Sequence, residues 1–274
     1  MYIIADSGST KCDWLCVEGT ETTPLRTRGI NAALHTPDEV LNTLAELSLA
    51  LHPTRVVFYG AGCGGRFPVA THTLQQLLTQ HFHTPKIELY SDLLGAARAL
   101  LGRRAGIACI LGTGSNSCYY DGRQIVQNVP PLGYILGDEG SGAALGRTLL
   151  NRLLKGTMSE ELTAEFYAVH SLNYEEVIRR VYREPQANRF LASLVPFICQ
   201  HIEIEGIRTL VRDAFGEFAD RNLQHYPQAE VAFTGGVAAA LENELRAAMR
   251  EKGYGVGRIT ASPATGLIEY HEGE

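Results

Sequence analysis

Asp6-Ser7-Gly8-Ser9-Thr10-Lys11 follows directly on the apolar run Tyr2-Ile3-Ile4-Ala5. A carboxylate at the end of a buried strand, then a turn of glycine and hydroxyl residues, is a setting for a hydrated divalent cation beside phosphates. Mg²⁺ prefers oxygen, keeps several waters and often takes only one or two protein carboxylates. Asp6 would hold the ion, Gly8 would let backbone approach, Ser9 and Thr10 would donate, and Lys11 would add charge. A hairpin with ordinary turn residues is the alternative explanation. The same design recurs at Gly112-Thr113-Gly114-Ser115-Asn116, directly after Ile107-Ala108-Cys109-Ile110-Leu111. Two matching strand–turn–strand entries suggest a duplicated fold that grips one polyphosphate from two sides.

Three further motifs add chemistry. Thr234-Gly235-Gly236-Val237-Ala238 closes a short strand and opens a helix, where Gly235 and Gly236 permit flat packing against an adenine or ribose ring. Leu136-Gly137-Asp138-Glu139-Gly140 carries two adjacent acids between glycines. Asp138 can cap the helix that follows, yet two acids exceed what a cap needs, and a carboxylate there can face a polyol. Asp92 follows the strand Lys86–Tyr90 and precedes a helix. It too can be an N-cap. It also sits where ligands meet the carboxyl ends of strands, and it is the best candidate to accept an alcohol proton during phosphoryl transfer. The Thr234–Ala238 motif is not a GxGxxG fingerprint, and no GxxxxGK[ST] loop occurs.

The elements that must position these residues alternate. Tyr2–Asp6 and Cys12–Glu18 form a hairpin. Pro37–Leu51 has the spacing of a helix, Arg55–Tyr59 is a strand ending in Gly60-Ala61-Gly62, and Pro68–Phe82 is a helix that Pro68 can open. Leu93–Leu101 is a helix behind the Lys86–Tyr90 strand. The pattern restarts at Gly106–Leu111, with a hairpin over Ser117–Val126 turning at Asp121-Gly122 as a type I′ turn. A helix over Gly140–Lys155 follows the loop Pro130–Glu139, and residues 159–226 are mostly helical. A strand at Glu230–Thr234, one helix from Gly235 to about Lys252, a strand near Gly257–Thr260 and a helix after Pro263 complete the order. Strands alternating with helices predict an α/β protein with covered sheets.

Composition narrows the function classes. The chain has 274 residues, 45% hydrophobic and 20% charged, and a net charge of −6 with no basic run, which argues against a nucleic-acid partner. No CxxC pair exists among Cys12, Cys16, Cys63, Cys109, Cys118 and Cys199, so reduced, mostly buried thiols are expected. The nine histidines show no HExxH or paired-ligand pattern, and Trp14 reads as core or interface packing. No apolar stretch is long enough to cross a bilayer and no basic leader precedes the first strand, so a cytoplasmic protein without a membrane partner is expected.

Taken in order, DSGSTK, SD before a helix, LGTGSN, GDEGSG and FTGGVA resemble the actin-like ATPase superfamily of sugar kinases. More narrowly, the chain resembles the N-acetylglucosamine kinase family, in the group that also holds benzoyl-CoA-reductase-type ATPase activators. The resemblance spans Asp6 to about Ala238. It implies two ribonuclease-H-like lobes around a central cleft, residues 1–104 with the tail from about 262 to 274, and residues 105–261. It implies ATP and Mg²⁺ as cofactors, an amino sugar as substrate, and a possible homodimer. By resemblance, Asp6 positions Mg²⁺, and Asp92 is the catalytic base toward the sugar 6-hydroxyl. Thr10 and Thr113 touch phosphates, within the turns Gly8–Lys11 and Gly112–Ser115. Asn31, Gly62 and Asp138 hold the sugar, and Gly235 and Gly236 lie along the adenosine. Pro130-Pro131-Leu132-Gly133 stands where animal members have a more glycine-rich loop, which leaves N-acetylmuramic acid and glucosamine as alternative substrates. An ATPase activator of a radical dehydratase would hold an iron–sulfur cluster on cysteines in a glycine-rich setting, and only Cys63 comes near one. A non-catalytic sugar sensor would not need both Asp6 and Asp92, and the CxCGxxGC cluster of repressor-related sugar kinases is missing.

Overall fold

The protein, described by a computed structural model, is defined at residues 1–8, 10–47 and 51–272. Its elements run β1 (Tyr2–Ser7), β2 (Lys11–Glu18), β3 (Glu21–Arg28), α1 (Pro37–Leu44), β4 (Val56–Gly60), α2 (Pro68–Phe82), β5 (Ile87–Ser91) and α3 (Asp92–Leu101). There follow β6 (Gly106–Leu111), β7 (Ser115–Tyr120), β8 (Ile125–Gln127), α4 (Gly133–Leu136), α5 (Gly142–Leu154), α6 (Glu160–His170), α7 (Tyr174–Tyr182), α8 (Ala187–Ala192) and α9 (Val195–Gln200). The chain closes with α10 (Glu205–Asn222), β9 (Val231–Thr234), α11 (Gly236–Ala240), α12 (Glu242–Glu251), β10 (Val256–Thr260) and α13 (Ala264–Glu272).

Two compact α/β units result. The first comprises Met1–Arg104, Gly122–Gln124 and Pro263–Glu274, and the second Ala105–Asp121 with Ile125–Ser262. Each holds a five-stranded mixed sheet, in the orders β3-β2-β1-β4-β5 and β8-β7-β6-β9-β10. The second order is the first repeated five strands later. In both, the first three strands are antiparallel neighbours and the last two are parallel to the first.

In the first unit, side chains alternate between two faces. Ile3, Ala5, Cys12, Trp14, Val56 and Phe58 pack with Val40 and Leu44 of α1 and Leu74, Leu78 and Phe82 of α2. Trp14 is fully buried against Phe58 and Phe82, and its indole Nε1 donates to Thr27 Oγ1 at 3.0 Å, so it belongs to the core. On the other face Ile4, Leu15, Val57 and Tyr59 meet Ala99 of α3 and Leu267 of α13. Asp6 falls on that second face by alternation. The second unit's core joins Ile107, Cys109, Leu111 and Phe233 to the helices α5, α9, α10 and α12.

Several sequence expectations change. α1 ends at Leu44 rather than at Leu51, and Leu47 reaches the core from outside the helix. The last positions of that expected helix include 48–50, which lie outside the described residues. β3 was not expected: its sequence ETTPLRTR is almost wholly exposed, and Pro24 is tolerated because it lies on a sheet edge. The Asp121-Gly122 turn is a four-residue connection, with Gly122 at φ 97° against the Arg103 carbonyl. The helix expected from Gly235 to Lys252 is two, broken at Leu241, which lets Glu242 and Glu244 start a new N-terminus. No described helix is long and apolar enough to cross a membrane.

Candidate active site

In the first unit β1, β4 and β5 are parallel, so their C-terminal ends share one edge. Ser7 pairs with Gly60, and Gly60 with Ser91. Asp6 stands one residue before that edge and Asp92 one residue after it. Ser91, not Asp92, is the N-cap of α3: its Oγ accepts from the Leu94 amide at 3.2 Å. Asp92 therefore opens the helix as its first residue, and its Oδ1 accepts the Leu93 amide at 2.8 Å. Burial pushes the Asp92 carboxyl above its ordinary value, against the pull of that amide. Burial also lifts Asp6, from 3.8 to about 7, with the Asp92 and Asp13 charges adding and Lys11 opposing. Asp13 lies opposite Asp6 across the β1–β2 ladder. Among the described residues Asp6 has no hydrogen-bond donor.

Around these acids the turn and loops are tied by backbone. The Gly8 amide donates to the Lys11 carbonyl at 3.1 Å, and the Gly29 amide to the Thr10 carbonyl at 3.1 Å. The Lys11 ammonium is held by Asp13 at 2.8 Å, and Asp13 is also paired with Arg26 at 2.6 Å. Lys11 thus already has an acid partner within the hairpin. Ser9 lies outside the described residues. The buried Ser7 hydroxyl donates to the Ile30 carbonyl at 3.0 Å and accepts the Ile30 amide at 2.8 Å. That clamp sets Asn31 beside the sheet edge. Asn31 Oδ1 accepts the Ala33 amide at 3.0 Å, leaving its Nδ2 group without a described partner. Gly62, at φ 72°, makes room for this loop, since a Cβ there would collide with Asn31 Oδ1. Asp6, Asn31, Gly62 and Asp92 accordingly gather on one unit's sheet edge.

The second turn is built differently. The Gly112 amide donates to the Gly114 carbonyl at 2.9 Å, while the Gly112 and Thr113 carbonyls accept the first amides of α5. Ser141 caps α5, so Asp138 is not its N-cap. Asp138 instead turns in a left-handed conformation, φ 55°, and its Oδ1 accepts the Ser115 amide at 3.3 Å. Burial raises Asp138 to about 6, the Ser115 amide opposes, and the Glu139 charge adds. Gly235 has φ 124° and lies against the Leu111 carbonyl so closely that a Cβ would collide with it. Gly236 has open space where a side chain would be. Gly112, Thr113, Gly114, Ser115, Asp138, Gly235 and Gly236 therefore belong to the second unit's sheet edge.

Two residues of the first site, Ser7 and Tyr59, carry no motif of their own. Ser7 reads in the sequence as a turn residue, yet its strand-end hydroxyl clamps the Ile30 backbone. Tyr59 is a fully buried phenol paired with Asp6 across the β1–β4 ladder, and nothing in the sequence distinguishes it from other core aromatics. Among the described residues no three or more His, Cys, Asp or Glu side chains group as a metal cluster, and five of the six thiols are buried.

No family model matches the chain, and no curated protein does. Solved structures do. A proposed N-acetylglucosamine kinase from Porphyromonas gingivalis is 43% identical, with a TM-score of 0.96, over 100% of this chain and 99% of that one. A second, from Chromobacterium violaceum, is 22% identical with a TM-score of 0.72, covering 98% of both chains. A glucokinase of the ROK family from Streptomyces griseus, bound to glucose and AMPPNP, is 15% identical with a TM-score of 0.60, over 99% of this chain and 98% of that one. The latter two share the fold. The first adds full-length identity to a common architecture: this chain belongs to the N-acetylglucosamine kinase family.

Proposed function

We propose that the protein transfers the γ-phosphoryl group of ATP to the 6-hydroxyl of N-acetylglucosamine. The observation that carries this reading is the pair of acids at the C-terminal ends of β1 and β5, Asp6 with no hydrogen-bond donor among the described residues and Asp92 opening α3. The substrate is suggested by the 43% identical relative. Asp92, raised by burial, is a fitting acceptor for an alcohol proton. As O6 bonds to the γ-phosphorus, the bond from that phosphorus to the bridging oxygen breaks. ADP leaves, and the O6 proton passes to Asp92. Asn31, whose Nδ2 group has no partner among the described residues, and the backbone at Gly62 would orient the sugar. We assign Asp138 to sugar hydroxyls too, by family resemblance.

For the nucleotide, the backbone amides and hydroxyls of Gly8–Lys11 and Gly112–Ser115 would receive phosphates, and Gly235-Gly236 the adenosine. Asp6 fits Mg²⁺: a desolvated carboxylate beside Asp92 and Asp13, with no donor among the described residues, is stabilised by a cation. When bound, Mg²⁺ would neutralise phosphate charge. Six unpaired thiols and the use of ATP fit a cytoplasmic enzyme.

A coupled ADP-release assay with ATP and Mg²⁺ tests the reading across N-acetylglucosamine, N-acetylmuramic acid, glucosamine, N-acetylmannosamine and glucose. The highest kcat/KM is expected for N-acetylglucosamine, with the product a 6-phosphate by NMR. A preference for another sugar would replace the substrate, and the lack of any sugar-dependent ADP release would overturn the kinase assignment.

A further inference from the structure

Tyr59 lies in the middle of the first unit with no exposed surface, and a buried hydroxyl requires partners. It has two. Arg98 of α3 donates from Nη1 to the Tyr59 oxygen at 2.9 Å, and the hydroxyl faces Nε2 of His271 on α13, also at 2.9 Å. With Arg98 on one lone pair, the O–H proton is free to go to His271 when that nitrogen is the unprotonated one. The Arg98 guanidinium carbon sits 4.3 Å from the ring centre of Tyr90, 5.1 Å from that of Tyr270 and 5.8 Å from that of Tyr59. Its Nε is buried and meets no acceptor, so the rings are its surroundings on that side. Tyr59 and Tyr90 stack at 5.4 Å. One cage thus joins β4, β5, α3 and α13.

The cage bears on the proposed active site through α3. The Tyr59 ring lies under Gly95, where a Cβ would come within 2.8 Å of its Cγ, so the ring sets how deeply the helix seats. Arg98, one turn further along, is drawn to the same phenol. α13 presses on α3 from outside, at a crossing that Gly266 permits because a Cβ there would collide with the Ala99 carbonyl. Asp92 is the first residue of α3, so its carboxylate moves with the helix, and Asp6 is the ladder partner of Tyr59.

Resting on the kinase reading above, we propose that Tyr59, Arg98 and His271 are positioning residues: they lock α3 against β4 and so fix the Asp92 carboxylate relative to Asp6. The C-terminal helix is then part of the catalytic half of the molecule through His271 and Tyr270. Misplacing a proton acceptor lowers turnover while leaving sugar binding in place.

The test compares Tyr59→Phe, His271→Leu and His271→Gln in the full chain. Tyr59→Phe keeps the ring and removes the hydroxyl. It is expected to lower kcat about tenfold, the value of one buried hydrogen bond to a charged group, with the sugar KM within about twofold. His271→Leu is expected to lower kcat in the same way, His271→Gln to restore most of it, and Tyr59→Phe/His271→Leu to fall no further than either alone. Hydrogen exchange of the Leu93–Ala96 amides should speed about tenfold in Tyr59→Phe, as expected for a helix end whose seating is loosened. An active wild type with unchanged kcat in Tyr59→Phe would overturn the proposal. A wild type without sugar-dependent ADP release would overturn the kinase reading instead, and unchanged exchange at Leu93–Ala96 would then overturn the clamp as well.

Discussion

The two sheets share one strand order, yet their edges carry different chemistry. Aligning the ladders, Asp6–Tyr59 with Ile110–Thr234, makes Ser7 the counterpart of Leu111 and Gly60 the counterpart of Gly235. Carried to the last strand, the same registers match Tyr90 with Thr260, and so Asp92 with Ser262. Both acids of the first edge therefore have uncharged counterparts in the second. The second turn closes over three residues where the first needs four, and its carboxylate, Asp138, arrives from a distant loop. A duplicated backbone has kept its glycines where a close approach needs them and divided its charges. Under the kinase reading, the first edge suits a cation and a proton, and the second suits phosphate and adenosine.

The comparison breaks most sharply at Asp92. Asp92→Asn keeps the size and the helix position but cannot accept a proton, so a loss of about a thousandfold in kcat is expected, with ATP affinity within about twofold by fluorescence titration. Near-normal turnover would put the two edges on an equal footing. Asp6→Asn should lower kcat about a hundredfold and raise the Mg²⁺ concentration needed for half-maximal rate.

Asp6 also gives a pH signature. Its folded value of about 7 exceeds the ordinary 3.8, so between these the folded protein holds more protons than the unfolded chain. Stability of the metal-free protein should therefore fall as pH rises through that window. Asp6→Asn should flatten that slope and raise Tm at pH 8 by about 4 °C, measured by calorimetry. An unchanged slope would show that Asp6 is not the strained group.

Smaller effects separate the two turns. Gly235→Ala forces a Cβ into the Leu111 carbonyl at φ 124° and should raise the ATP KM about tenfold. Gly8→Ala meets nothing closer than the Lys11 carbonyl at 3.9 Å. Its Tm should stay within about 2 °C, and any rise in the ATP KM would report a ligand approaching that backbone.

Much of this was legible in the residues because the signals are local. Alternating apolar runs ending in glycine and hydroxyl residues marked β1 and β6, and Pro68 marked the start of α2. β3 was not legible, because a polar edge strand is held by its neighbour's hydrogen bonds and not by burial of its own side chains. Asp138 illustrates the same limit. Its sequence setting suggests a cap, but Ser141 supplies the cap and a strand-end amide 23 residues away takes the carboxylate.

The sequence by itself determined a duplicated α/β protein with two small-residue turns and an acid after the Lys86–Tyr90 strand, since periodicity and turn chemistry act over a few residues. Only the tertiary structure decided that Ser7 carries the Asn31 loop and that Tyr59 meets Arg98 and His271. Those outcomes depend on which faces and strand ends the fold brings together, over separations of up to 212 residues, and no local rule encodes them.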